Sequence, residues 1–471
     1  MNMKNSAFFV FLLVIFVPFH LENARGNTLG PDGQDEDFQR TTSSNSSQFD
    51  APPTPRAPLN LDAALIEAME RSPDIQRVRA ARSEYGWRHF EAFGAGFLPK
   101  ISASALHYFD TKYSITGINF GGAFLSFPGF YPINVTSLDV TIPVFDGFAS
   151  TRKLQSASYE EDASIAELSQ AEFQLHEDIR LSFYRTLAAI SLQDVAKQNV
   201  KTLEDHLKQI EVRKHGGAAT NYDVLRVQVQ LNEARADLID AEDSYATARR
   251  KLTQLLGLEA DDRSLEGVLP IPDAAKVKDL RLKEIPVERA DIRALNLRAE
   301  AAEKARQAAA GWFIPSVSLA ANYTLYDSQI FDKTVQNTGN YLNSYNFGVF
   351  VKWNLFDGGV ALAREREASY AAVQSEKATQ SAKLQVPYDF DYWKRRYLSN
   401  TDHYTSKKFD VTRSEESVRL AKEEERAGTR TSTETLDAEL DLFRSKQGVV
   451  NAQMNAAEAQ IRLELALGKE I

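Results

Sequence analysis

Two stretches of this chain are copies of one another at a fixed spacing, and that spacing limits the folds open to them. Val144-Phe145-Asp146-Gly147 returns 211 residues later as Leu355-Phe356-Asp357-Gly358, and Ala157-Ser158-Tyr159 returns as Ala368-Ser369-Tyr370. At the same displacement Gly217, Thr220, Asp223 and Leu225 match Gly428, Thr431, Glu434 and Leu436. Leu252 and Leu256-Gly257 likewise match Leu463 and Leu467-Gly468. A repeat reports the building unit of a fold. An offset that holds from Gly147 to Gly257 admits no net insertion, which suits long continuous helices and not loop-rich structure. Upstream, Leu98-Pro99 pairs with Ile314-Pro315 at an offset of 216. The difference falls in Asp110–Asn134, Gly- and aromatic-rich, against Asp327–Asn343, Asn/Thr/Gln-rich, and both read as surface loops.

The repeated stretch reads as helix. Between Gly147 and Gly257 there is no proline, and Gly216-Gly217 is the sole glycine interruption. Leu175, Ile179, Phe183, Leu187 and Ile190, then Leu203, Leu207 and Ile210, step at helical spacing. A first helix over roughly Ala149–Lys214 would be about 100 Å long at 1.5 Å per residue. The return helix carries a heptad of Leu231, Leu238, Tyr245 and Leu252, with Ala234, Ala241, Ala248 and Leu255 between. Its copy reads Leu442, Val449, Ala456 and Leu463. Pro387 is expected to kink the second outgoing helix. Periodicity alone is equally met by an ordinary intramolecular coiled coil.

Four short segments switch to period two. Val317–Leu325 alternates apolar with small or polar residues, as do Tyr345–Leu355 and Leu138–Val144; Ile101–Phe109 alternates more weakly. Each is roughly ten residues, the length that crosses a bilayer as a tilted strand. Tyr108, Phe109, Tyr323, Tyr326, Tyr345, Trp353 and Phe356 near the ends suit an interfacial girdle. Half-buried strands of a soluble sheet alternate in the same way. Four strands cannot close a barrel, so membrane insertion would require several chains.

Composition removes other classes. The 471 residues contain no cysteine, which excludes disulfide scaffolds, thiolate zinc sites, thiol nucleophiles and an N-terminal lipid-modified cysteine. With 55 Lys+Arg against 65 Asp+Glu the net charge is −10, which disfavours general nucleic-acid binding. Seven histidines without metal-like clustering give no metal centre, and no catalytic or cofactor motif is present. Residues 1–26 read as a secretory signal: Lys4 precedes the apolar run Ala7–Phe19, too short for a spanning helix. Residues 27–58 are Ser-, Asn- and Pro-rich and read as a disordered linker. Two strand–helix repeats follow, 59–270 and 288–471, joined by a linker at 271–287.

The chain resembles the outer-membrane efflux protein family of TolC-like exit ducts over about Leu59–Gly468. The most specific pieces are Phe97-Leu98-Pro99 and Phe313-Ile314-Pro315, the Pro-Val-Phe-Asp-Gly strand exit, and Ala427-Gly428-Thr429-Arg430-Thr431 leading to Glu434 and Leu436-Asp437-Ala438. The resemblance implies a mainly α fold with a small β part. Duplicated helical hairpins would form a trimeric α-barrel, and four strands per chain would join a 12-stranded transmembrane β-barrel in the outer membrane. It implies a homotrimer in outer-membrane lipid, a periplasmic adaptor, and an inner-membrane transporter of RND, ABC or MFS type. It implies passive conduction in efflux or type I secretion, with no enzymatic activity. A structural or adhesive envelope coiled-coil trimer is the alternative.

Site residues follow from the same resemblance. Glu434 and Asp437 match the carboxylates that ring the periplasmic gate; six around one axis would raise their pKa values and attract cations. Arg430 matches a latch arginine, expected to bond near Asp223 of the neighbouring helix pair. The family's latch tyrosine and threonine fall on Glu425 and Tyr222, so the bonding of the closed state departs here. Gly216, Gly217 and Gly428 are expected to supply freedom for tight tip turns, and with Thr220 and Thr431 they mark the adaptor-docking tips.

Overall fold

The computed structural model describes residues 57–109, 115–128, 134–281, 289–327 and 341–471. The expected signal segment, and nearly all of the expected 27–58 linker, lie outside them. The chain opens with α1 (Leu61–Arg71) and α2 (Pro73–Phe97), then strand β1 (Lys100–His107). After β2 (Ile115–Phe120), β3 (Ala123–Pro128) and β4 (Asn134–Phe145) come the hairpin helices α3 (Ala149–His215) and α4 (Asn221–Leu255). The second half holds α5 (Ala275–Lys278), α6 (Ala290–Ala310), β5 (Ser316–Asp327) and β6 (Tyr341–Lys352). It ends in α7 (Val360–Arg426) and α8 (Ser432–Leu467).

Helices α3 and α7 are each 67 residues, about 100 Å at the helical rise. Their equal length is the physical meaning of the constant offset. Pro387 lies inside α7, which continues as helix to Arg426. The repeat also places the cores. Ile179, Phe183, Leu252 and Leu256 are buried beside Leu59 and Ile75 in the first half. Phe390, Leu463 and Leu467 are buried with Val277 and Tyr397 in the second. The expected 271–287 linker is thus not a plain spacer. Its described part forms α5, and Tyr397 both accepts from the Asp273 amide at 2.9 Å and donates to the Asp273 carbonyl at 3.2 Å.

The four expected strands form one antiparallel sheet in the order β1-β4-β5-β6. A second, two-stranded sheet pairs β2 with β3 inside the stretch read as a loop. It turns on Gly121 and Gly122, both at positive φ (57° and 96°), where side chains other than glycine are strained. In the main sheet the registers align one polar row, Ser102–Asp139–Asn322–Asn346, and a second, Ser104–Ser137–Thr324–Ser344. Asn322 donates to Asp139 at 2.7 Å, and Ser137 to Asp139 at 3.0 Å. The opposite face carries Ile101–Val140–Ala321–Phe347 and Ala103–Leu138–Tyr323–Tyr345. Phe347, Val349, Val351 and Tyr345 on that face are exposed, so none of the described residues covers it there.

Helix order repeats strand order. Helix α2 packs on α3, α3 on α6, and α6 on α7. Since α2 leads to β1, β4 to α3, α6 to β5 and β6 to α7, the same elements end both rows among the described residues, with α7 also packed on α8. One end is α2 with β1; the other is β6 with α7. Trp87 and Phe90 on α2 are exposed, as are Tyr370, Leu384 and Tyr388 on α7. No helix among the described residues is long and apolar enough to cross a membrane.

Candidate functional site at the helical tips

Both hairpins turn in the same way, because the same residues recur. Gly217 (φ 78°) and Gly428 (φ 75°) occupy the left-handed region that closes a helix C-terminus. The amides of Ala218 and Thr429 reach back to the Arg213 and Glu424 carbonyls, at 2.8 and 3.0 Å. Gly216 differs from expectation. Its φ is −81°, which any residue adopts, so the turn needs one glycine in each copy and not two in the first.

The returning helices start on capping boxes. Asp223 donates its amide to Thr220 Oγ1 at 3.2 Å while its carboxylate accepts the Thr220 amide at 2.8 Å. Glu434 repeats this on Thr431, at 3.3 and 3.0 Å. These bonds satisfy donors that a helix start leaves orphaned. They also hold both carboxyls below the usual carboxylate range, through the backbone N–H and hydroxyl of Thr220 or Thr431. Within one chain Glu434 is surrounded by cap donors and not by other carboxylates, and its shift there is downward.

The remaining expected residues sort by hairpin. Arg430 pairs with Glu424 at 3.4 Å, beside its own turn, and not with Asp223 of the same chain. Asp437 pairs with Arg226 of the first hairpin at 3.2 Å. Tyr222 is exposed, whereas Glu425 is buried and accepts a hydrogen bond from Arg213. Leu436 is buried among Leu203, Val227 and Leu231, pinning the start of α8 to the first hairpin.

A set of pairings that the sequence did not reveal, two of them using the singled-out Glu425 and Asp437, joins the two hairpins. Arg180 bonds Glu464, Arg185 bonds Glu458, His206 faces Glu439, Arg213 bonds Glu425 and Arg226 bonds Asp437. In all five the cationic or ionisable base is on α3 or α4 and the carboxylate on α7 or α8. The spacing of charges along one strand of sequence gives no hint of this, since partners lie more than 200 residues apart. Near the tip the two hairpins enclose a groove of about 740 Å³ lined by His206, Arg213, Lys422, Glu425 and Glu439 among others.

A metal site is not built here. His176, Glu177 and Glu470 bring three potential ligand atoms within 4.8 Å of one another. Both oxygens of Glu177, however, already accept from Arg180 at 2.9 Å, and a guanidinium repels a second cation.

The outer membrane efflux protein family model matches residues 64–258 and 282–469. The outer membrane protein TolC of Vibrio cholerae is 22% identical over 292 residues, covering 61% of this chain and 66% of that protein. The match thus spans just under two thirds of that relative. The alkaline protease secretion protein AprF of Pseudomonas aeruginosa is 24% identical over 362 residues, covering 72% of this chain and 70% of AprF. The crystal structure of the Campylobacter jejuni CmeC outer membrane channel shares the fold, with a TM-score of 0.73 at 14% identity over 87% of this chain and 85% of CmeC. With both repeats matched and both hairpins in place, this chain belongs to the outer membrane efflux protein family.

Proposed function

We propose that three copies of this chain close into an outer-membrane exit duct, a 12-stranded β-barrel continued by a helical tunnel through the periplasm. The observation that carries this reading is the pair of unfinished ends, α2 with β1 and β6 with α7. An open sheet edge leaves a row of unpaired N–H and C=O groups, which lipid cannot satisfy. Joining β1 of one copy to β6 of the next removes every edge and seats the exposed aromatics of α2 beside those of α7. The faces of the sheet support the same arrangement: Asp139 and Asn322 would line water, and Leu138, Phe347 and Val349 would face lipid. A purely structural coiled-coil trimer has no use for a sheet of that kind.

In such a trimer Glu434 and Asp437 gather near the axis at the periplasmic end, and Arg430 reaches toward Asp223 of a neighbouring copy as the latch. The tips around Gly217, Thr220, Gly428 and Thr431 would dock a periplasmic adaptor, which links the duct to an inner-membrane transporter of RND, ABC or MFS type. Conduction is passive, and no reaction is assigned. The resemblance to TolC and to the secretion protein AprF supports a transport role; the cargo follows from the transporter.

Cysteine cross-linking tests the closure, and the absence of native cysteine makes it clean. Ala103→Cys on β1 and Tyr345→Cys on β6 should give covalent trimers in outer membranes with a short bifunctional maleimide. Products that stay monomeric, with each single variant behaving like the pair, would remove the barrel.

A further inference from the structure

The polar face of the main sheet carries few charges, and their places are uneven. The row Lys100–Thr141–Ala320–Gly348 lies next to Ser102–Asp139–Asn322–Asn346, and Lys352 pairs with Ser316 nearest the helices. Among the described strand residues of that face, only Lys100, Asp139 and Lys352 are charged. Asp139 is already engaged: one oxygen accepts from Asn322 at 2.7 Å and the other from Ser137 at 3.0 Å. The two lysines are exposed, and among the described residues neither is in an ion pair.

Both lysines stand on edge strands. Lys100 opens β1 and Lys352 closes β6, each at the end where strand gives way to helix. The three pairings from β1 through β4 and β5 to β6 are all antiparallel, so β1 and β6 run in opposite directions. Joining β1 of one copy to β6 of the next is then antiparallel as well. It sets the start of β1 beside the end of β6, on adjacent strands and on the same face.

We propose that each seam of the closed barrel carries a lysine pair, Lys352 of one copy with Lys100 of the next, and that the three pairs form an anion-binding ring in the lumen at the helical end of the barrel. One chain holds only half of each site, and the inference rests on the reading of the chain as a trimeric duct. The ligands are multivalent anions, solutes bearing phosphate or several carboxylates, which an ammonium holds as a compact point charge. Two like charges at a seam repel, and an anion between them relieves the repulsion; Asp139, with both oxygens already accepting, is the one carboxylate of the face that competes. The field of the ring reaches about 8 Å at physiological salt and shortens as salt rises, so it acts on solutes passing along the wall. The barrel thereby prefers the opposite sign of charge to the carboxylates proposed for the tips.

Block of single channels by tripolyphosphate tests the ring. The full chain is placed in planar bilayers of phosphatidylcholine, which carries no net charge, and the probe is added on the extracellular side, where it meets the barrel before the tips. The parent should be blocked at low salt and released at high salt. Lys100→Gln with Lys352→Gln should weaken the block about tenfold, and each single change about threefold, as a few screened charge–charge contacts give. Lys100→Arg with Lys352→Arg should keep it. A second route does not depend on assembly of the double variant: Lys352→Cys is reacted after the channel has formed. An ammonium-bearing thiol reagent should restore block there, and a sulfonate-bearing one should weaken it further. Block unchanged in the double glutamine variant, or indifferent to reagent charge at position 352, in channels that still conduct, overturns the ring and leaves the duct standing. A parent that forms no channel removes the duct and the ring with it.

Discussion

Arg180 offers the sharpest test of how the two hairpins are held. Glu177 and Glu464 are both 0% exposed, and Arg180 serves both, with 2.9 Å bonds to each oxygen of Glu177 and a further bond to Glu464. Burial pushes the Glu177 carboxyl up; Arg180 pulls it down, Glu464 pushes it further up, and the net shift is upward. Arg180→Met keeps the volume and removes the charge, leaving two neighbouring carboxylates without water. Breaking a buried pair in this way costs about 3–5 kcal/mol. Amide hydrogen exchange reads it locally: around residues 176–184 and 460–467, opening should speed about 100- to 4,000-fold at pH 7.5. A carboxyl whose folded pKa is raised stabilises the fold while protonated, and loses that contribution as pH rises through the folded value. The defect should therefore shrink as pH falls toward 5. Replacing all three charges together, R180M with E177Q and E464Q, should restore near-parental exchange, since a neutral packed set avoids the desolvation cost. Parental exchange in R180M at pH 7.5, or a triple variant as fast as the single one, would refute the reasoning.

Three further outcomes are expected. Neutralising Glu434 and Asp437 together should weaken cation selectivity and block by polyvalent cations in planar bilayers; unchanged selectivity and block remove them from the gate. Thr431→Ala should cost about 1 kcal/mol at the start of α8, read as roughly fivefold faster exchange over 434–436. Because Glu434 is held below the usual carboxylate range, its part of that cap is present above the ordinary Glu range and is lost as pH falls through the lowered value. Gly257→Ala should lower thermal stability by more than the roughly 1–2 kcal/mol of a left-handed residue, because φ is 72° and the new Cβ would lie 2.8 Å from the Arg71 carbonyl oxygen.

Much of the architecture is legible in the sequence because its signals are local and long. A proline-free stretch with helical spacing leaves little room but for α3 and α4, and the 211-residue offset transfers that reading to α7 and α8. The β2–β3 hairpin was missed although Gly121-Gly122 between two apolar runs is a hairpin signal; the aromatic content of the stretch argued for a loop instead. The roles of Asp223 and Glu434 as capping residues were also present in the spacing Thr220-x-x-Asp223 and Thr431-x-x-Glu434. What spacing cannot give is the pairing between hairpins. Arg180 with Glu464 and His206 with Glu439 meet only after the 67-residue α3 and the 36-residue α8 have been laid alongside one another. Burial of those groups, which gives them their energetic weight, is a property of the packed pair.

The central claim is that one chain supplies a third of a closed wall. The mass of the assembly released intact from outer membranes in mild detergent, measured by native mass spectrometry, tests it most directly. Three chain masses in a single particle are expected, with loss of the trimer when the β1 edge is blocked by proline. A stable single-chain particle that still conducts ions in a planar bilayer would contradict the account.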